Sequence, residues 1–516
     1  MARDLSQEPL FDVNDIQGDI LVGLIKKVER LLFFEITDAE NFRLFLKDLQ
    51  ITSMSECLMQ AEIIAAGKQA HNDELIPTPG LNVAFTAAGL RKLGATDPDT
   101  PTDPLFEAGM AASQTNLSDP PSRRWSILRP SNHLHGVFIV TGSTLAEVAD
   151  TISLRLAPVG TNGWIIRHEE LGKVRPSPVG GHEHFGFADG VSQPGVRGQI
   201  APGVALTPNL GTDEDQGMPG QDLLWPGEFV FGLPGQDGDA DDFTVEGPIV
   251  EPPIPFMNNG AFLVFRRLAQ KVPEFHQAVK AAAATTGGST DEASADLLGA
   301  QLVGRWKSGA PIINAPLADD LSMAEGSGVE NDFEFGGDRT GLVCPWAAHI
   351  RKAYPRDDVR GNTNPNEANG EVDKAEAGTQ THRMLRRGIA FGPELTEGEA
   401  LSGRSDRLYE RGLLFKCYVT SLEDQFEFVQ RAWINNPDFV QPGSGIDALV
   451  GHLDDGAQPF LGAAPRSMDA ARKPQLSFDR FIEMQGGAYF FAPSISAMQN
   501  LQSVVVAASA ELESAE

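Results

Sequence analysis

The sequence has little cysteine: its three residues of this type, Cys57, Cys344 and Cys417, are widely separated. Disulfide-rich scaffolds and structural zinc sites need more cysteines at closer spacings, so both are excluded as the basis of the fold. We expect all three thiols to be buried. With 516 residues and 41% hydrophobic content, the chain is long enough for two domains, each with an apolar core.

Long hydrophobic runs are also absent. No stretch approaches the roughly 20 apolar residues of a membrane-spanning helix, and the N-terminal residues have no apolar core of the kind found in signal peptides. The sequence therefore predicts no membrane partner and favours a cytoplasmic location. An extracellular protein written in its mature form would look the same, so that alternative stays open.

Positive charge is scarce relative to negative charge. Lysine and arginine total 41 against 71 aspartates and glutamates, which gives a formal net charge of -30. Such a chain repels nucleic acid and anionic lipid, so we expect neither as a partner. Solubility is the simplest consequence of this charge.

Short apolar runs followed by helical patterns occur in both halves of the chain. Strands are predicted at residues 31–36, 135–140, 163–167, 261–265, 413–419 and 487–492, and helices beginning near Asp38, Thr144 and Pro273 and after Val419. The alternation is irregular, and no Gly-rich phosphate-binding turn accompanies it. These features favour an α+β fold of two βαββαβ halves with antiparallel sheets over a doubly wound parallel sheet.

The composition divides the chain into three parts. Residues 196–260 are rich in proline, glycine and aspartate. This composition predicts a long surface connection that buries little apolar area. We therefore expect an N-terminal domain at 1–195 and a C-terminal domain at 261–516.

The segment Gly186-Phe187-Ala188-Asp189-Gly190 holds one carboxylate between two glycines. Glycine allows a backbone to come close to a flat ligand, so Asp189 is a candidate acid-base group. The alternative is an ordinary turn, in which an aspartate satisfies nearby backbone N–H groups. Aromatic and small residues surround Asp189 between His182 and Pro194, which is unusual for an exposed turn.

His349 lies in the apolar segment from Cys344 to Lys352. A neutral imidazole can bind iron, although a single histidine in an apolar run is more often a hydrogen-bonded core residue. Two residues on, the guanidinium of Arg351 could pair with a carboxylate such as a haem propionate. This context favours a haem ligand.

A third segment, His382 to Gly392, contains Arg386 and Arg387 among apolar residues that include Phe391. The apolar residues predict a mostly buried segment. Arginines in such a run are usually solvated, so we expect one of the pair at the surface and the other directed inward.

These segments, in this order, resemble the motifs of the dye-decolorizing peroxidases, a haem peroxidase family, and the long form is most similar to its fungal members. The resemblance covers nearly the whole chain and rests on Asp15 to Leu21, Phe187 to Pro194, Glu330 to Phe333, Cys344 to Lys352 and Arg386 to Ile389. It implies two ferredoxin-like halves of the dimeric α+β barrel type. It also implies one haem b per chain, in the C-terminal half.

The resemblance implies a role for each candidate residue. His349 matches the proximal iron ligand, Asp189 the distal acid-base residue and Arg386 the distal arginine. Arg351 is similar to a propionate-binding arginine. Phe391 is expected to contact the cofactor at a position where some relatives carry a tyrosine that relays electrons.

Three details stay open. The carboxylate that accepts a hydrogen bond from His349 has three candidates: Glu423, Asp424 and Glu427. Electron relays for bulky donors have two, Tyr418 and Trp433, although aromatics of this kind are more often core. An acidic patch could bind manganese, although a solvated loop explains it equally well: Asp357, Asp358, Glu371 and Asp373.

The implied function is a peroxidase that uses hydrogen peroxide to oxidise dyes, phenolics and related aromatic donors, as a monomer or homodimer. Because aspartate ionises near pH 3.9, about 2.6 pH units below histidine, such a base predicts an acidic pH preference. One alternative is a haem-binding or haem-processing protein with incidental peroxidase activity. Another is a non-haem α+β protein in which Asp189 and His349 are structural.

Overall fold

The computed structural model describes residues 3–70, 75–96, 102–130, 133–158, 160–211, 215–238, 244–285, 289–358, 376–452, 458–461 and 475–501. Its helices are α1 (Gly18–Leu21), α2 (Ala39–Asp48), α3 (Met54–Gln69), α4 (Ala87–Leu93), α5 (Pro104–Ala108), α6 (Leu145–Thr151), α7 (Val272–Thr285), α8 (Glu292–Val303), α9 (His349–Ala353), α10 (Glu397–Ser402) and α11 (Ile495–Gln499). Three segments are π-helical: Ile152–Leu156, Leu422–Glu427 and Val429–Ile434.

The strands are β1 (Val28–Ile36), β2 (Gly80–Phe85), β3 (Gly136–Gly142), β4 (Trp164–Lys173), β5 (Gly195–Val196), β6 (Gln199–Ala201), β7 (Val204–Ala205), β8 (Leu223–Leu224), β9 (Pro234–Gln236), β10 (Glu246–Ile249), β11 (Ala261–Gln270), β12 (Leu385–Arg386), β13 (Ile389–Phe391), β14 (Gly412–Val419), β15 (Gln458–Leu461), β16 (Gln475–Phe478) and β17 (Ile482–Ala492). The predicted strands and helices all coincide with observed ones, and the helix after Val419 is π-helical.

Local sequence explains where several of these elements begin. The Asp38 carboxylate accepts hydrogen bonds from the N–H groups of Glu40 and Asn41, and so starts α2 directly after β1. The Thr144 hydroxyl accepts one from the Glu147 N–H and starts α6 after β3. Such caps satisfy N–H groups that would otherwise lack partners.

The main sheet closes into a barrel. In the N-terminal half the strand order is β2-β3-β1-β4, and in the C-terminal half it is β17-β11-β14-β13, all antiparallel. This is the order of a βαββαβ unit, so the predicted α+β fold with two ferredoxin-like halves is confirmed. The halves meet where Phe85 pairs with Phe491 and Gly172 with Phe391.

The hydrophobic cores combine residues of both halves. Phe34 and Phe85 from the N-terminal half share one cluster with Phe262 and Phe491 from the C-terminal half. The barrel therefore cannot be cut into halves without exposing apolar surface. All three cysteines are buried and free, as expected.

The expectation that residues 196–260 bury little apolar surface is wrong. Seven apolar side chains of this segment are at most 3% exposed: Val196, Leu223, Leu224, Phe229, Val230, Phe231 and Met257. Leu224, Phe229 and Val230 pack into the same cluster as the inner residues of the barrel strands. The glycines and prolines of residues 196–260 lie in the turns between these buried side chains.

Of the three main site residues, His349 lies on a helix of the C-terminal half. The short helix α9 begins at His349 and contacts both α8 and the π-helical segment Val429–Ile434. In the described part of the chain, no helix combines the length and apolar character that a membrane crossing requires.

Candidate active site

A cavity of about 490 Å³ lies against the C-terminal half of the barrel. Asp189, His349 and Arg386, which are distant in sequence, all line it. The charges of Asp189 and Arg386 act on the pKa of His349 in opposite directions, so the three groups share one electrostatic environment. The structure thus brings together the three residues singled out by the motifs.

His349 is held by a buried carboxylate. Its Nδ1 lies 2.6 Å from Oδ2 of Asp447, and the Asp447 side chain is completely buried. Burial lowers the pKa of His349, but the charge and hydrogen bond of Asp447 outweigh burial, so the pKa lies above its usual value. Because Nδ1 is engaged, Nε2 is the ring nitrogen available to a ligand in the cavity.

The predicted partners of His349 were wrong. Glu427 accepts a hydrogen bond from the Tyr489 hydroxyl, the Asp424 carboxylate accepts one from Ser421, and Glu423 is exposed. The observed partner is Asp447. Its other carboxylate oxygen, Oδ1, accepts the N–H groups of Leu449 and Val450. No local pattern in the sequence marks Asp447, which lies 98 residues from His349.

Asp189 lies at the end of a tight loop. Gly186 and Gly190 on either side have φ of +104° and +77°, a backbone region that other residues rarely adopt. The Asp189 N–H donates to the Gly181 carbonyl at 3.0 Å, and the Gly190 N–H donates to Oδ1 of Asp189 at 2.7 Å. Asp189 is thus both a turn residue and a cavity residue.

Arg386 is tied to the Asp189 loop. Its guanidinium donates to the Ser192 carbonyl at 2.6 Å. The Gln193 side chain accepts from the Arg386 N–H and donates to the Arg386 carbonyl, both at 3.1 Å. These contacts fix strand β12 against the segment that follows Asp189.

Arg387 points away from the cavity into the N-terminal half. Its guanidinium donates to the carbonyls of Asp19, Ile20 and Leu21 at 2.8 to 3.1 Å. The expectation that one arginine of the pair is solvated is therefore wrong, while the expected inward arginine is Arg386.

The structure does not bring Arg351 to the cavity. Its guanidinium is completely buried and forms a two-pronged ion pair with Asp358 at 2.6 and 2.7 Å. It also donates to the Cys344 carbonyl at 2.5 Å and contacts Asp338. Residues two positions apart on a helix point about 200° apart, so Arg351 faces away from His349.

Phe391 is also outside the described lining of the cavity. Its ring packs under the guanidinium of Arg267 at 4.0 Å. Its carbonyl lies 2.9 Å from Nε2 of His184. Phe391 therefore contributes to the barrel core and to the anchoring of the Asp189 loop.

Besides Arg386, five arginines that the sequence analysis did not single out line the cavity: Arg175, Arg266, Arg305, Arg356 and Arg383. Arg356 and Arg383 both line the cavity and both stack on the ring of Tyr354, at 5.1 and 3.6 Å. Arg383 forms an ion pair with Asp222 at 2.8 Å. Arg356 follows His349 by seven residues, a proximity that could have drawn attention to it.

The chemistry of the lining suits haem. Apolar side chains provide walls for a flat ring, among them Phe187, Leu268, Val303, Leu413, Phe415 and Ile482. The cavity volume falls within the usual range for small-molecule sites. His349 offers a nitrogen to iron, and the Arg356 and Arg383 cations can receive carboxylates.

The acidic patch proposed for manganese is otherwise occupied where it is described. Asp357 accepts N–H groups of Phe335 and Gly336, and Asp358 pairs with Arg351. Glu371 and Asp373 lie outside the described residues. Among the residues that are described, no group of three or more His, Cys, Asp or Glu is arranged to hold a metal ion.

The two aromatic residues considered as electron relays are core residues in the structure. Tyr418 and Trp433 are each 1% exposed. The Tyr418 hydroxyl donates to buried Asp19 at 3.0 Å. Tyr418 and Trp433 are therefore buried in the core, which was the alternative to an electron-relay role.

Known proteins share this architecture. A family model for the DyP dimeric alpha+beta barrel domain matches residues 15–176. A dye-decolorizing peroxidase of Mycetinis scorodonius is 36% identical over 98% of this chain and 90% of its own length. The structure of an ancestral D-type dye-decolorizing peroxidase matches with a TM-score of 0.76 at 36% identity, covering 95% of this chain and 99% of that one.

A mutant of the dye-decolorizing peroxidase of Pleurotus ostreatus matches with a TM-score of 0.77 at 32% identity, covering 96% of this chain and 99% of that one. Similarity of this extent covers nearly the whole chain. The chain belongs to the dye-decolorizing peroxidase family and is a haem peroxidase.

Proposed function

We propose that the cavity binds one haem b per chain through Nε2 of His349 and uses hydrogen peroxide to oxidise dyes, phenolics and related aromatic donors. One observation carries the proposal: His349, fixed by buried Asp447, lines the same cavity as Asp189 and Arg386. The cofactor lies in the C-terminal half, 261–516, and Asp189 reaches it from the N-terminal half, 1–195. Arg356 and Arg383 take the roles of propionate partners that Arg351 cannot fill.

Bound haem would supply the iron at which the peroxide O–O bond breaks and the oxidising equivalents that aromatic donors then remove. Asp447 accepts the Nδ1–H hydrogen bond of His349. That bond fixes the tautomer and the ring orientation, and it makes Nε2 a more basic ligand.

Asp189 moves the proton. Hydrogen peroxide must lose a proton from one oxygen and gain one on the other, and a carboxylate within reach of both can carry it. Oδ1 of Asp189 is held by the Gly190 N–H, so Oδ2 is the oxygen that accepts and returns the proton. A carboxylate base stays active in acid, where imidazole is protonated, so we expect dye turnover to favour acidic pH.

Arg386 supplies a permanent positive charge. Its bond to the Ser192 carbonyl fixes the guanidinium, and the group can stabilise negative charge on the departing oxygen. Asp189 and Arg386 have complementary tasks, since one transfers the proton and the other stabilises charge.

Stopped-flow mixing of the ferric protein with hydrogen peroxide tests this assignment. Asp189→Asn should slow the reaction by roughly 100- to 10,000-fold while leaving haem binding intact. A variant that reacts as fast as the unaltered protein would refute the role of Asp189 and favour a haem-binding protein with incidental activity. Failure of the purified protein to develop a Soret band on haem addition would refute the cofactor assignment itself.

A further inference from the structure

A second carboxylate lies beneath the loop that ends in Asp189. Oε2 of Glu183 accepts the Phe185 N–H at 2.8 Å, and Oε1 accepts the Phe187 N–H at 2.9 Å. The amide of Gln270 also donates to Oε2. Both carboxylate oxygens are therefore used, and all three of these partners are neutral N–H donors.

The backbone of Glu183 closes the same loop. Its N–H donates to the Phe187 carbonyl at 3.0 Å, and its carbonyl accepts the Gly186 N–H at 2.9 Å. The side chain and the main chain of Glu183 thus both bond to the main chain of Phe187, so the loop is closed twice. A loop fixed twice by one residue has little freedom to move.

Gln270 connects this loop to the barrel wall. It is the last residue of β11, and its N–H donates to the Arg411 carbonyl at 2.8 Å. Its side chain also accepts the His184 N–H at 3.4 Å. The Glu183–Gln270 hydrogen bond therefore fixes the loop relative to strand β11.

Asp189 depends on that support because its own restraints are few. The Asp189 N–H bonds to the Gly181 carbonyl, the neighbouring Ala188 N–H to the Lys307 carbonyl, and its carboxylate to the adjacent Gly190 N–H. None of these contacts ties the Asp189 carboxylate to an element of the barrel. The segment that Glu183 closes leads directly into Asp189.

Keeping a carboxylate in this position is costly for the protein. Burial raises the pKa of Glu183, and the three N–H donors only partly offset that effect. A glutamine would avoid the cost of burying charge. It has one acceptor oxygen, however, and its NH₂ group would face an N–H donor.

We propose that Glu183 is a positioning residue for Asp189, which holds the loop so that the carboxylate stands at its working height over the cavity. The proposal rests on the function proposed above for Asp189. Glu183 also lines the cavity, but both of its carboxylate oxygens are engaged by the loop and by Gln270, so it acts on peroxide only through Asp189.

The test uses Glu183→Gln, Asp189→Asn and the double variant in the haem-loaded protein. Glu183→Gln should slow the stopped-flow reaction with hydrogen peroxide by roughly 10- to 100-fold, the effect of a small displacement of a reacting group. Because Glu183 acts through Asp189, the double variant should be no slower than Asp189→Asn alone. Independent effects would multiply, which would overturn the proposal.

Hydrogen–deuterium exchange of the haem-free protein gives a second readout. Glu183→Gln should speed amide exchange in residues 185–190 and leave residues 345–353, around His349, unchanged. Unchanged exchange in residues 185–190, or an equal rise in both segments, would contradict a local positioning role.

Gln270→Met is the companion variant, since it keeps the Glu183 carboxylate and removes the side-chain bonds of Gln270 to Glu183 and to the His184 N–H. Gln270→Met should slow the reaction with peroxide and speed amide exchange in residues 185–190, each by a smaller factor than Glu183→Gln. If Glu183→Gln does not take up haem, the result for Gln270→Met decides whether the inference stands. If Gln270→Met then behaves as the unaltered protein, the inference is wrong. Normal peroxide kinetics in Glu183→Gln beside a slow Asp189→Asn would overturn this inference alone, whereas a fast Asp189→Asn would overturn the proposed function.

Discussion

Oδ2 of Asp447 lies 2.6 Å from Nδ1 of His349, on a side chain with no exposed surface. A buried carboxylate in this place would give the imidazole a partly anionic character, which would strengthen the bond to iron proposed for His349 and favour high oxidation states. The same carboxylate is anchored by two backbone N–H groups, so it cannot follow a displaced histidine.

Asp447→Asn should weaken this effect because an amide is a poorer acceptor. We expect a higher haem reduction potential, a lower iron–histidine stretching frequency in resonance Raman spectra and a roughly 10- to 100-fold slower reaction with peroxide. Glu423→Gln is the matched control, since Glu423 is exposed and was one of the three candidates suggested by sequence. Equal shifts in both variants would show that the Asp447 contact has no special influence.

Arg386→Lys tests whether a fixed guanidinium is needed. Lysine keeps the charge but loses the planar fork that can hold the Ser192 carbonyl and still face the cavity. We expect the bimolecular rate with peroxide to fall roughly 100-fold or more. Arg387→Lys, next in sequence but directed at backbone carbonyls of the N-terminal half, should lower the melting temperature and leave the peroxide rate nearly unchanged.

Local chemistry explains what could be predicted from sequence. The cap at Asp38, the apolar strand of β1 and the glycines around Asp189 act within a few residues, so their patterns are visible in the chain. The resemblance to the dye-decolorizing peroxidases then supplied Arg386 and the ligand role of His349. Each of these three site residues lines the cavity.

Contacts made across the fold could not be predicted in the same way. Asp447 is 98 residues from His349, and the barrel closes through single residue pairs such as Phe85 with Phe491. The direction of the Arg351 side chain, by contrast, could have been predicted from local sequence. Its helical offset from His349 places it on the opposite face, where Asp358 neutralises it.

A pair of variants separates the roles of Arg351 and Arg356. Arg351→Met leaves Asp358 buried without its partner, so we expect the free energy of unfolding of the haem-free protein to fall by about 3–5 kcal/mol. Arg356→Met removes a cavity cation, so haem transfer to an acceptor apoprotein should become about ten-fold faster. Faster haem loss from folded Arg351→Met than from Arg356→Met would restore the original prediction that Arg351 holds a propionate.

Glu228 should make stability depend on pH. Burial, partly opposed by the Gln236 N–H and reinforced by the charge of Asp424, raises the pKa of Glu228 to about 8. A carboxyl whose pKa is higher in the folded state binds its proton more tightly there. Its contribution is therefore fully present below its unfolded pKa, near 4.5, and is lost as pH rises through about 8.

Urea unfolding of the haem-free protein at pH 5 and pH 8 measures this loss, which we expect to reach a few kcal/mol. Glu228→Gln keeps an acceptor for the Gln236 N–H and cannot ionise, so its stability should change less over the same interval. Glu62→Gln on the exposed face of α3 is the control and should follow the unaltered protein. If Glu228→Gln also follows it, Glu228 is ionised without cost in the folded state, and the buried turn around it must admit water.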